Sequence, residues 1–298
     1  MGTTVASIQS PSAAFHSHGY GRLCVITRRA TFSASHRYWL PELSETQNNN
    51  LFGPCSLIHG HGHNYELIVG MQGQLNSDGM VLNLSEVKSA IYSEVTSQLD
   101  FRFLNESWPE FDVKNPAGQL PTTEALVIAI WQRLIPYLPL RNLRLYEQSN
   151  LWADYLGNAM ETFLSIRTHF AAAHRLARPE LSQDENEKIY GKCARINGHG
   201  HNYLLSVTVK GNIDPRTGMI CDLNKLQSIV QTTVVESFDH SFLNKDINYF
   251  ATCVPTAENI ALHIADLLKL PISKIGAHLH KIHLDESPNN AAEVFVDK

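Results

Sequence analysis

Phe32-Ser-Ala-Ser-His36-Arg37, followed by Cys55 and by His61-Gly-His63-Asn-Tyr65, is the stretch whose reading decides the fold. It returns as Phe170-Ala-Ala-Ala-His174-Arg175, Cys193 and His199-Gly-His201-Asn-Tyr203. Residues 32–73 lie over 170–211 without a gap, and 21 of the 42 pairs are identical, too many for chance resemblance between unrelated segments. One inserted residue in Asp214-Pro215-Arg216-Thr217-Gly218 moves the offset from 138 to 139, and Glu147 then meets Glu286. Self-similarity at a fixed period marks a tandem duplication. The chain of 298 residues thus divides into a first repeat over 22–156 and a second over 163–298, with a short linker around Gly157-Asn158. Residues 1–21, rich in Ser, Ala, Gly and His and uncharged, read as a disordered tail without a signal peptide's basic start and apolar stretch.

The composition excludes several functions. Charged residues make up 18% of the chain and no apolar run approaches the roughly 18 residues of a membrane span, so no membrane insertion is expected. The formal charge of -5 leaves no basic excess to neutralise a phosphate backbone, so no nucleic-acid partner is expected. Five cysteines, an odd number with no CxxC pair, make no disulfide framework and fit a reducing cytoplasm.

Each repeat reads strand, long loop, strand, helix, helix, strand pair. His61, His63, Tyr65, Leu67 and Val69 alternate along an extended strand and share one face. Val87, Ala90, Ile91, Val95 and Leu99 recur at helical spacing, and another helix follows Pro121-Thr122-Thr123-Glu124. The second repeat has helices over 226–237 and after Pro255-Thr256-Ala257-Glu258. Apolar pieces such as Leu143/Leu145 and Ile282/Leu284 close each unit. The expected fold class is α+β: two tandem ββααββ units, each an antiparallel sheet with helices on one face.

The 15 histidines carry the chemistry. A catalytic zinc takes three protein ligands and keeps one position open, and an HxH pair on one strand face supplies two of them. His36, His61 and His63 form one such set, and His174, His199 and His201 the other. A lone HxH is a weak signal; the same set kept in both diverged copies is a strong one. Cys55 and Cys193 stand six residues before each pair, where a thiol near a dication is a candidate base or nucleophile. Cys24, Cys221 and Cys253 have no counterparts and read as small buried hydrophobes. Asp239-His240 in the second repeat corresponds to Asp100-Phe101 in the first, so only the second keeps an imidazole able to relay a thiol's proton.

These residues resemble the 6-pyruvoyltetrahydropterin synthases. The second copy carries the likeness through Tyr190-Gly-Lys-Cys193, Asn197-Gly-His199-Gly-His201-Asn-Tyr203, Thr217-Gly-Met-Ile-Cys-Asp-Leu223 and Phe238-Asp239-His240-Ser-Phe-Leu243-Asn244. The first shares Arg28-Arg29, Phe32-Ser-Ala-Ser-His36-Arg37 and His61-Gly-His63-Asn-Tyr65. The resemblance implies the T-fold, in which units assemble into an oligomeric barrel with sites between them. It implies Zn2+ on the three histidines and 7,8-dihydroneopterin triphosphate as substrate. By the same resemblance the cysteine takes a proton from the side-chain carbon, assisted by Asp and His, and triphosphate leaves. Glu147 or Glu286 would grip the pterin ring, with Thr123, Thr256, Glu124 and Glu258 nearby. Asp and His are expected to reach the cysteine of a neighbouring unit, so Phe101 puts the first copy's independent activity in doubt: where unlike copies adjoin, Cys55 is completed by Asp239 and His240, and where like copies adjoin, the intact site is wholly the second copy's. Two alternatives stand beside this reading: 6-carboxytetrahydropterin synthase, whose cysteine spacing Cys55 and His59 also satisfy, and a pterin-binding protein without turnover.

Overall fold

The computed structural model describes residues 22–296; the tail over 1–21, expected to be disordered, lies outside the described residues. Among the described residues, ten strands form one sheet: β1 (Leu23–His36), β2 (His61–Gln74), β3 (Arg102–Phe103), β4 (Leu140–Gln148), β5 (Leu151–Tyr155), β6 (Glu161–His174), β7 (His199–Asn212), β8 (Ser241–Phe242), β9 (His278–Ser287) and β10 (Asn290–Phe295). The order is β10-β9-β7-β6-β5-β4-β2-β1-β3, with β8 also beside β6. The eight longer strands pair antiparallel, whereas β3 and β8 are two-residue parallel additions to β1 and β6.

The repeat in the sequence is a repeat in register. Leu23 faces Gln74 as Glu161 faces Asn212, and the hairpins β4·β5 and β9·β10 carry the same bulge, with Gln148 opposite Leu151 and Ser287 opposite Asn290. Alternation decides which side is buried. Tyr65, Leu67, Val69 and Met71 on β2 and Leu143 and Leu145 on β4 are at most 1% exposed beneath the helices Leu84–Ile91 and Thr123–Leu134. Burying each contributes roughly 1.5–3 kcal/mol. Arg144, Asp154, Arg167, Ser206 and Thr208 face the other way, where Arg144 bonds Asp154 and Arg167 bonds Ser206.

The helix of the first repeat that follows β2 is not uniform. Its buried stripe Val87, Ile91, Val95, Leu99 steps by four residues, and each such step drifts about 40° around a helix of 3.6 residues per turn. A wider π-turn over Tyr92–Thr96 takes up that drift, and Gln231–Val235 does the same beneath Leu226, Val230, Val234 and Phe238. The spacing predicts a continuous helix; the structure splits it to keep the stripe on the sheet.

The two repeats join edge to edge. After the turn at 156–160 the chain doubles back, and β5 pairs with β6, Leu151 opposite Ile166 and Asp154 opposite Phe163. One core runs beneath both repeats, and their strands make a single continuous sheet. The turn 214–220 of the second repeat reaches across this joint. Arg216 holds both carboxylate oxygens of Glu42 at 2.6 and 2.7 Å and donates to the carbonyls of Val113, Asn115 and Gly118.

Arg216→Ala is expected to cost about 2 kcal/mol of stability, because three backbone acceptors lose a charged donor. Its guanidinium holds the Glu42 carboxyl down to about 2. A carboxylate lowered on folding stabilises fully above its unfolded pKa near 4.3 and loses that contribution as pH falls toward its folded value. The small stability difference between wild type and Glu42→Gln, at most about 1 kcal/mol for so exposed a pair, should therefore vanish between about pH 4 and pH 2. Urea denaturation across that range checks both.

Candidate metal centres and the joint between repeats

Strand register brings three histidines together. His36 ends β1 directly opposite His61 at the start of β2, and Ala34 stands opposite His63, so the three imidazoles share the helix-covered face. In the second repeat His174 pairs with His199 and Ala172 with His201. The turn before each HxH closes tightly: at Gly60 (φ +64°) a Cβ would lie 2.4 Å from the His36 carbonyl oxygen, and at Gly198 (φ +65°) 2.5 Å from that of His174, so only glycine fits.

In each set the ligand atoms lie within 4.8 Å of one another. The Nε2 atoms of His36 and His61 are 3.1 Å apart, as are those of His174 and His199, close to the roughly 3.3 Å edge of a tetrahedron with Zn–N bonds of 2.0–2.1 Å. His63 Nε2 and His201 Nε2 are buried and make no hydrogen bond among the described residues, although the Glu147 carboxylate lies near the former. A buried ring nitrogen without a hydrogen bond is costly unless it meets a cation, so both donor sets fit a metal ion. Burial, with smaller contributions from neighbouring rings, lowers His36 to about 3 and His63 and His174 to about 4, which keeps these imidazoles in the neutral form a metal needs. Tyr65 and Tyr203 place their hydroxyls 3.1 and 3.3 Å from the Nδ1 atoms of His36 and His174, and the Pro255 carbonyl lies 2.7 Å from the latter. These partners orient the rings. Ligand spacing alone gives the tyrosines no part, although the repeated His-Asn-Tyr signals them.

Glu147 extends the inward stripe Leu143, Leu145 of β4 and is buried. Its Oε2 accepts from the Thr123 hydroxyl at 2.6 Å, and its Oε1 lies 3.3 Å from His63 Nε2. Burial raises Glu147 and its neighbour Glu124 to about 7. Glu124 accepts from the Ile220 N–H at 3.3 Å, the Thr122 hydroxyl donates to the Gly218 carbonyl at 2.5 Å, and Met219, like Cys55, packs against the cluster of Tyr38, Leu40, Phe52 and Leu120. The first site is therefore roofed by the turn 214–220 of the second repeat. Burial, then Glu147, pushes the Cys55 thiol up to about 11.

The second repeat's site is open. Glu286 lies 3.7 Å from His174 Nε2, but Glu258 is exposed where Glu124 is 4% exposed. Thr256 caps the helix Ala257–Ser273, accepting from the Asn259 N–H, and matches Thr122; the place of Thr123 is taken by Ala257. His59 is exposed and outside the triad. Lys192 and Arg195 flank Cys193 at the surface, and Arg29 pairs with Glu66.

Asp239 and Asp100 play one structural part. The Asp239 carboxylate accepts from the Ala171 N–H at 2.7 Å, and that of Asp100 from the Ser33 N–H at 2.8 Å, pinning each to the outer edge of its repeat's first strand. The next residue is left-handed in both, His240 at φ 57° and Phe101 at φ 56°. Such strain in a bulky residue persists where the position has a use. Each side chain is driven outward, His240 85% and Phe101 86% exposed, and His240 Nδ1 meets Asp239 Oδ2 at 2.8 Å.

The sequence profile described as 6-pyruvoyl tetrahydropterin synthase matches residues 25–158 and again 163–296, together most of the chain. The chain belongs to that family. Among similar proteins, the 6-pyruvoyl tetrahydrobiopterin synthase of Drosophila melanogaster is 41% identical over 128 residues, covering 43% of this chain and 76% of its own length. That of Homo sapiens is 42% identical over 134 residues, covering 45% and 91%. The solved Caenorhabditis elegans 6-pyruvoyl tetrahydropterin synthase, 36% identical, covers 46% of this chain and 96% of its own with a TM-score of 0.43. Each relative matches one repeat's length, so this chain is a double-length member of the 6-pyruvoyl tetrahydropterin synthase family.

As each histidine set could hold one metal ion, His63→Ala and His201→Ala are each expected to lower bound metal from two ions per chain to one, and the double variant to abolish it. Elemental analysis after dialysis checks this, with circular dichroism confirming an unchanged fold.

Proposed function

We propose that the chain is a zinc-dependent 6-pyruvoyltetrahydropterin synthase of the cytoplasm, converting 7,8-dihydroneopterin triphosphate to 6-pyruvoyltetrahydropterin with loss of triphosphate. Its working site would combine Cys55 and the first histidine set with Asp239 and His240 of the second repeat. The observation that carries this reading is the β5·β6 joint, which makes unlike repeats neighbours within one chain. Asn150, three residues after Glu147, accepts from the Arg167 N–H, and Ala171, which anchors Asp239, lies four residues further along β6. That separation is about 13 Å of strand.

The division of labour follows from the residues. Glu147 and Glu124, buried and able to shed their protons near neutral pH, accept hydrogen bonds from the N–H donors of a pterin ring, with Thr123 holding Glu147 in place. The turn 214–220 keeps water from that end. Zinc on His36, His61 and His63 would supply a Lewis acid to the side-chain hydroxyls, stabilising the negative charge that develops as the C–H proton leaves. Cys55 takes that proton once its own has gone to His240, whose Nδ1 is tied to Asp239 so that Nε2 is left for the exchange. Loss of triphosphate and internal redistribution of hydrogen complete the reaction with no external oxidant.

Cys55→Ala and His240→Ala should each lower turnover by about a hundredfold or more, whereas Cys193→Ala and Phe101→Ala should leave it close to wild type. Mass analysis of the pterin formed reads the result. Loss from Cys193→Ala alone would exclude the mixed site, and a carboxy product would exclude the pyruvoyl assignment.

A further inference from the structure

On the face of the sheet turned away from the histidines, the joint between the repeats carries a cavity of about 400 Å³, inside the roughly 300–1,000 Å³ range of small-molecule sites. Strand register builds its floor. Trp152 of β5 stands opposite Ser165 of β6, and Arg167 of β6 opposite Ser206 of β7. Trp152 is 5% exposed, and its indole N–H is buried without a hydrogen-bond partner among the described residues. The Arg144 and Arg167 guanidiniums lie 5.6 and 5.1 Å from its ring centre. Buried donors are normally paired, so an unpaired N–H in the wall of a cavity points to an acceptor that enters it.

The duplication shows what is particular to this joint. Arg167 corresponds to Arg29, which pairs with Glu66 at 3.2 Å, and the counterpart of Glu66 is Leu204. Arg167 thus lacks the acid that its twin has. Its Nε donates to the Ser206 hydroxyl at 3.0 Å, leaving both terminal amino groups without a partner among the described residues. Trp152 corresponds to Ala291, Ser206 to Ile68 and Thr208 to Gly70, so polar donors stand where the other copy has none. The other charges in the wall are offset. Arg144 holds both oxygens of Asp154 at 2.7 and 3.0 Å, and Lys281 holds Glu293 at 2.7 Å. His283 lies between Glu293 and Asp285, at 3.0 and 3.1 Å.

We propose that this cavity is a binding site for the phosphate group of a small molecule, held by the Arg167 guanidinium, the Trp152 indole N–H and the Ser206 hydroxyl. A guanidinium with open amino groups presents a fork that matches phosphate oxygens. Ser206 accepts from Arg167 and keeps its own proton to donate. The three donors rise from three adjacent strands, so they surround a group rather than lie in one plane, which suits tetrahedral oxygens. Phe163, His280 and Phe295 line the same cavity, with ring centres 4.8 and 6.0 Å apart along the row. They offer a wall to a flat ring carrying the phosphate. The cavity and the histidine sets lie on opposite faces of the sheet, so this site is separate from the proposed reaction.

The test follows the indole N–H of Trp152 by nitrogen-15 NMR, its signal assigned by its loss in Trp152→Phe. Inorganic phosphate or phenyl phosphate replaces chloride at constant ionic strength. The signal is expected to shift and saturate with either probe. Arg167→Gln should raise the half-saturating concentration about tenfold or more, since a charged hydrogen-bond donor is lost, and Ser206→Ala should raise it less. Arg167→Lys, which keeps the charge, should fall between wild type and Arg167→Gln. Unchanged indole signals from Trp108 and Trp131 report an intact fold in each variant. The shift should persist in the double variant His63→Ala, His201→Ala, which separates this site from phosphate held on a metal. Tighter binding of phenyl phosphate assigns the ligand as an aromatic ester, and equal binding assigns free phosphate. A signal that does not saturate, a half-saturation that Arg167→Gln and Ser206→Ala leave unchanged, or a shift lost in the double histidine variant overturns the proposal.

Discussion

The antiparallel register between the first two strands of each repeat is the constraint on which the rest depends. With a side-chain period of two, His36 opposite His61 and Ala34 opposite His63 place three imidazoles on the buried face. A slip of one residue would send the HxH pair to the polar face and Tyr65, Leu67 and Val69 with it, so the core and the metal site enforce the same register. The helices that cover this face exclude water, and that exclusion keeps the histidines neutral and raises Glu147, Glu124 and Cys55.

Where the relatives span a single repeat, this chain carries two, and covalent linkage lets them diverge. The turn that carries Arg216 has no arginine in its counterpart 76–81, Thr123 stands against Ala257, and His240 against Phe101. The residues that set up each candidate metal centre, from the histidines to Tyr65 and Tyr203, are unchanged. The result, among the described residues, is one histidine set roofed by the other repeat's turn and another left open.

Much of the fold and of both sites is legible along the chain. The duplication, the strand alternation, both histidine sets and the α+β class follow from spacing and repetition, which are properties of the chain read along its length. The inward position of Glu147 follows from the period that buries Leu143 and Leu145. The π-turns are not legible, because they arise from matching a four-residue stripe to a sheet rather than from any residue within the turn. Nor is the roof over the first site, since the turn 214–220 that bonds Glu124 and Thr122 lies far from them along the chain.

The sequence by itself determined what each repeat contains: its ligands, its cysteine, its carboxylates and the absence of an imidazole at Phe101. Only the tertiary structure decided what meets what. Which repeats adjoin depends on the free edge that β5 offers to β6, and the roof over the first site depends on a turn about a hundred residues from the glutamate it covers. Local pattern records periodicity and chemistry within an element. Edge pairing across a joint is a choice among equivalent edges, settled by the short linker and by the charge that Arg216 brings to Glu42.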